Sequence, residues 1–127
     1  MTMTSPASVD LAGRRVLVVE DQFLIAMDIE KMLRALGAAD VDLASSIADA
    51  LAAIERAPPD LAVLDLRLGT ETTAPVAEAL QARSIPLVYV TGYDDLSAIP
   101  APLRNAPLVR KPIHLGVFSA ALSRLTF

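Results

Sequence analysis

The chain has 127 residues and a formal net charge of −4, which is the size of one domain and the wrong sign for binding nucleic acid or an anionic membrane surface. Apolar residues make up 54 %, enough to fill a core on two faces of a sheet, whereas aromatics at 4 % supply no platform for stacking bases. With no cysteine, disulfides, thiolate metal sites and cysteine nucleophiles are all excluded.

Residues 1–13 are small and polar and predict a loose N-terminal arm, with neither the basic head nor the apolar run of a signal peptide. The ordered domain is expected over residues 14–127. Val16 to Val19 form an unbroken apolar, mostly β-branched run, the pattern of a strand buried on both faces, and it stops at Glu20-Asp21. Ile25, Ile29, Met32, Leu33 and Leu36 then recur at helical spacing, with Gly37 where a helix terminates. Val41 and Leu43 suggest a short second strand. Ser46 followed by Asp49 resembles a capping box for a second helix on Ile47, Ala50, Leu51 and Ile54, which the Pro58-Pro59-Asp60 turn ends.

Leu61 to Leu66 is a third apolar strand that places Asp65 at its end, and Arg67 to Thr73 reads as a polar loop. A third helix fits Ala74 to Arg83, because Pro75 is tolerated only in a first turn. Leu87 to Val90 makes a fourth strand, ending at Thr91-Gly92. Pro100, Pro102 and Pro107 break the periodicity after it, so the fourth helix is expected to be short or irregular. Leu108-Val109 is a fifth strand ending in Lys111-Pro112, and Leu115, Phe118, Ala121, Leu122 and Leu125 carry a last helix. Five strand–helix alternations with right-handed crossovers predict an α/β fold. It is a doubly wound five-stranded parallel sheet, flavodoxin-like with order 2-1-3-4-5, and has helices on both faces.

The polar residues at the strand ends are the chemical signal. In such a sheet the carboxyl ends of the strands share one edge, and the first and third strands are neighbours there. Glu20, Asp21 and Asp65 then converge, and their mutual repulsion calls for a cation. With only oxygen donors at hand a hard ion is indicated, Mg²⁺ above all. Lys111 adds a compact positive charge and Thr91 a hydroxyl. Acidic ligands, a carboxylate nucleophile, a cation and a hydroxyl make a phosphoryl-transfer site.

RRVLVVED, LAVLDLRLG, YVTGY and VRKP, in this order and each at a strand end, resemble the receiver domains of response regulators over roughly residues 14–125. The resemblance implies that Asp65 is the phosphoacceptor and that Mg²⁺ (or Mn²⁺) is held by Glu20, Asp21, Asp65 and the backbone carbonyl of Arg67. It also implies that Thr91 and Lys111 engage the phosphoryl group and that the Lys111–Pro112 bond is cis. The stretch from Pro86 to Ile113 is similar to the FATGUY subgroup, common among alphaproteobacteria. YVTGY replaces the subgroup's Phe and Ala and places Tyr93 directly after Thr-Gly as a candidate switch residue. Leu108 and Val109 stand where ordinary receivers carry a switch aromatic.

The function so implied is that of a cytoplasmic, single-domain phosphoacceptor in a two-component system or phosphorelay. Its donor is a sensor histidine kinase or a histidine phosphotransfer protein, and an unknown downstream protein reads it. The domain is a monomer or a phosphorylation-dependent dimer, contacts neither nucleic acid nor membrane, and catalyses only its own phosphorylation and dephosphorylation. The alternative is a receiver-like interaction module that is not phosphorylated. A phosphatase or mutase with an aspartyl nucleophile is disfavoured, because Arg67 stands where such enzymes carry a second acid. His114 reads as a surface residue.

Overall fold

The computed structural model describes residues 9–92 and 99–127. Five parallel strands form the main sheet: β1 (Arg15–Val19), β2 (Asp40–Ala44), β3 (Leu61–Asp65), β6 (Leu87–Thr91) and β7 (Leu108–Arg110). Their spatial order is β2-β1-β3-β6-β7, which is 2-1-3-4-5 once the strands of this sheet are counted by themselves. The helices are α1 (Phe23–Ala35), α2 (Ile47–Arg56), α3 (Ala74–Ala82) and α4 (Leu115–Leu122).

Because side chains alternate across a strand, β1 feeds two cores. Leu17 and Val19 pack with Ala50 and Ile54 of α2 and with Val76 and Leu80 of α3. Val16 and Val18 pack on the other face with Ile29 and Leu33 of α1 and with Phe118 and Leu122 of α4. The continuous apolar runs thus reflect burial on both faces, since β3 and β6 are buried at every position. The predicted cap of α2 is present: Ser46 Oγ accepts from the Asp49 backbone N–H at 3.0 Å. Pro75 lies in the first turn of α3.

Three expectations need correction. The loose arm does not extend to residue 13. Leu11 is fully buried, its N–H donates to the Leu36 carbonyl at 2.9 Å, and Ala12 bridges Ala38. Gly37 permits this close approach. Its φ is +107°, and a Cβ there would lie 3.1 Å from the Ala12 nitrogen. The stretch after Asp65 is not an irregular loop either, because β4 (Arg67–Leu68) and β5 (Glu71–Thr72) pair antiparallel as a small hairpin. Gly69 turns it with φ +61°. Finally, α4 ends at Leu122, and Leu115 at its start is exposed. In the proline-broken region the described part contains one 3₁₀ turn, Ala101–Leu103. No helix among the described residues is long and apolar enough to cross a membrane.

Candidate functional site

β1 and β3 are neighbours, and the chain leaves β1 toward β2 but leaves β3 toward β6, in opposite directions, which opens a crevice at the carboxyl end of the β1/β3 pair. Glu20 and Asp21 follow β1 directly, and Asp65 is the last residue of β3. The three carboxylates each offer an oxygen, and these oxygens lie within 4.8 Å of one another. Glu20 and Asp65 are buried, at 3 % and 4 % exposure, while Asp21 is exposed at the mouth.

Lys111, just beyond β7, reaches across to both buried acids. Its Nζ donates to Asp65 Oδ2 at 2.8 Å and lies 2.9 Å from Glu20 Oε2. The second contact is an ion pair by distance without the alignment of a hydrogen bond, so buried Glu20 Oε2 keeps an unfilled acceptor site. Glu20 Oε1 accepts from the Gln22 backbone N–H at 3.1 Å. Burial pushes the Glu20 carboxyl up to about 7, opposed by the Lys111 ammonium beside it and reinforced by the Asp65 charge. For Lys111, burial alone lowers the ammonium, but its bond with Asp65 and the negative charges of Asp65 and Glu20 outweigh it and the net direction is up.

The hairpin fixes the floor of the site. Asp21 Oδ2 accepts from the Gly69 N–H at 3.0 Å, tying β1's exit to the hairpin turn. The Arg67 N–H faces Asp65 Oδ1 at 3.5 Å, at the long limit of a hydrogen bond. Buried Thr73 donates its hydroxyl to the backbone carbonyls of Asp65 and Leu66 and so anchors the chain on either side of the acid. Sequence reasoning missed Thr73. The available signal was a threonine two residues before a helix-starting proline, where a hydroxyl commonly caps.

Of the residues singled out beforehand, Glu20, Asp21, Asp65 and Lys111 come together. Thr91 is fully buried at the end of β6, one residue beyond the Val90 that pairs with Asp65, and its carbonyl accepts the Lys111 N–H at 2.9 Å. Arg67 is held next to the acids by its pairing with Thr72. Lys111–Pro112 is cis. His114 is exposed at the start of α4 and takes no part. Tyr93 lies outside the described residues.

The donor set suits a hard divalent cation. It consists of carboxylate oxygens without a softer ligand, one of them with an acceptor site that no protein donor fills. Chemically the crevice can gather negative charge, because the same arrangement presents a carboxylate oxygen, an ammonium and a hydroxyl-bearing strand end side by side.

A doubly wound sheet with acids at the switch point and a lysine beyond the last strand defines a receiver-type α/β domain. The chain belongs to the response regulator receiver domain family, whose family model matches residues 16–118. It is 40 % identical to SdrG from Sphingomonas melonis Fr1, whose solution structure superposes with a TM-score of 0.76 over 87 % of this chain and 93 % of that one. The response regulator PhyR from Brucella abortus is 31 % identical, with a TM-score of 0.78 over 93 % of this chain and 49 % of its own. The phyllosphere-induced regulator PhyR of Methylorubrum extorquens is 29 % identical over 94 % of this chain and 49 % of its own length. The chain spans about half the length of the curated relatives it matches.

Proposed function

We propose that this domain is a phosphoacceptor that takes a phosphoryl group onto Asp65 from a phosphohistidine. One observation carries the reading: a buried aspartate at the switch point has one oxygen on a lysine ammonium and two further carboxylates within 4.8 Å. Asp65 forms the new P–O bond as the P–N bond of the phosphohistidine breaks, and the departing imidazole nitrogen keeps the electron pair. Glu20, Asp21 and Asp65 would hold Mg²⁺ or Mn²⁺, with the Arg67 carbonyl as a further ligand. When bound, that cation supplies charge neutralisation for the phosphoryl oxygens.

This chain's own residues do the rest. Lys111 pairs with Asp65 before transfer and with a phosphoryl oxygen after it, so its charge stays compensated throughout. The Gly69 and Thr73 contacts hold the acids in place, which lowers the reorganisation needed at transfer. Thr91 donates its hydroxyl to the phosphoryl group. Hydrolysis by water at phosphorus returns free Asp65 and inorganic phosphate, and the domain catalyses no other reaction. The donor is a sensor histidine kinase or a histidine phosphotransfer protein. The added charge, roughly −1.5 to −2, changes a protein-contact surface.

The test is Mg²⁺-dependent labelling by acetyl phosphate, read as a mobility shift on a phosphate-affinity gel, beside Asp65→Asn. The wild type shifts and the variant does not. A wild type that never shifts, with acetyl phosphate or with its kinase, leaves a receiver-fold interaction module as the function.

A further inference from the structure

The largest fully buried side chains of the molecule include Tyr89, and it is the one among them with a polar end. Tyr89 lies on β6, two residues before Thr91, so alternation along the strand turns both to the same face. That face belongs to the core containing Ile99, with Leu103, Ala106 and Leu108 packed at its margin. The Tyr89 hydroxyl is shut off from solvent and has no hydrogen-bond partner among the described residues. A buried hydroxyl in this condition destabilises the arrangement that contains it, and native structures rarely keep one without use. Burial pushes its pKa up to about 12, so it stays a neutral donor across the physiological range.

The neighbouring chain is short of donors. Residues 99–107 contain Pro100, Pro102 and Pro107, each with a carbonyl and no N–H, so this stretch presents more acceptors than it can fill internally. It lies beyond the strand that carries Thr91, and the Tyr89 backbone N–H donates to the Pro107 carbonyl at 2.8 Å. Ile99 and Leu103 of that stretch pack in the core that holds the Tyr89 ring, so a rearrangement of the stretch reaches the surroundings of the hydroxyl.

We propose that Tyr89 is a switch residue: its hydroxyl is unpartnered while Lys111 is paired with the free Asp65 carboxylate, and it gains a hydrogen bond in the phosphorylated form. The orphaned donor thereby biases the equilibrium toward phosphorylation. Differential interaction with two states is what a switch requires. The inference rests on Asp65 being the phosphoacceptor.

The experiment compares wild type and Tyr89→Phe for two quantities, the melting temperature of the unmodified protein and the affinity for beryllofluoride with Mg²⁺, a phosphoryl mimic. The variant removes one oxygen from a packed ring and leaves the packing intact. The proposal expects a higher melting temperature and a beryllofluoride affinity weaker by about tenfold, equivalent to about 1.4 kcal/mol. A higher melting temperature with unchanged affinity overturns it, because the hydroxyl is then equally orphaned in both forms. A lower melting temperature overturns it too, because the hydroxyl then had a partner. If the wild type itself binds no beryllofluoride, the phosphoacceptor reading falls and this inference with it. Should Tyr89→Phe fail to fold, the oxygen is required by the fold and the proposal is wrong; Tyr89→Leu, which removes the ring as well, separates that result from a general intolerance of the site.

Discussion

The Glu20 carboxyl, 3 % exposed between Asp65 and Lys111, is raised by burial from 4.5 to about 7. The folded protein therefore holds a proton there that the unfolded chain has released. The stability this contributes is fully present below pH about 4.5, declines as pH rises, and is gone above about 7. Urea unfolding across that window should show the decline in wild type, and Glu20→Gln should flatten it. A bound cation reverses the preference by favouring the carboxylate, so Mg²⁺ and the proton compete for the same oxygens. With a carboxyl titrating at about 7, the ionised fraction grows about tenfold between pH 6 and pH 8, and the apparent Mg²⁺ affinity should grow by the same factor. Calorimetric titrations at the two pH values decide this; equal affinities remove Glu20 from the ligand set. Lys111 supports the same balance from the other side. Lys111→Met leaves Asp65 and Glu20 facing each other without a counter-charge, and should cost about 2 kcal/mol at pH 8. The cost should be smaller at pH 6, where Glu20 is protonated, and Mg²⁺ should recover part of it.

Among elements, α1 begins two residues after Asp21, and it opens with Phe23 and Leu24, exposed by 68 % and 76 %. Neither contributes to a core, so replacing both with alanine should change stability by no more than about 0.5 kcal/mol. Their position at the rim of the crevice suits contact with a protein that must bring a phosphohistidine up to Asp65. The double variant should lose phosphoryl transfer from its kinase by tenfold or more, about 1.4 kcal/mol of contact. Labelling by acetyl phosphate, which needs no docking surface, should stay at the wild-type rate. Equal losses with both donors would place these residues in the chemistry instead. The small hairpin after Asp65 escaped sequence reading for a physical reason. Its strands are two residues long, too short for an alternating pattern, and Thr70 to Thr72 read as ordinary loop residues. What makes it a hairpin is tertiary, since Asp21 accepts from the Gly69 N–H and Thr73 closes back on the Asp65 and Leu66 carbonyls.

At the scale of the molecule, the sheet was legible because every central strand is buried on both faces and so spells an apolar run ended by its functional residue. Val19-Glu20, Leu64-Asp65 and Val90-Thr91 each mark the point where a core strand meets the crevice. The start of the domain was not legible. Val9 to Gly13 contains one fully buried residue, Leu11, beside partly buried Val9, and two large apolar side chains in so short a stretch make no periodicity to detect. Its burial depends on Gly37, 26 positions later by their numbers, which lets the chain pass close enough to pair with Leu36 and Ala38. Leu11→Ala should therefore behave as a core truncation, costing about 3 kcal/mol and lowering the melting temperature by roughly 10 °C. Leu11 precedes β1, whereas the acids follow it, so the whole length of the strand separates the two. Effects at such distant sites are close to additive. The variant's Mg²⁺ affinity and acetyl phosphate labelling, measured well below its melting temperature, should match the wild type. A weakened site in a protein that is still folded would mean that the packing of Leu11 on α1 and the placement of Glu20 and Asp21 at the other end of β1 are coupled through the strand.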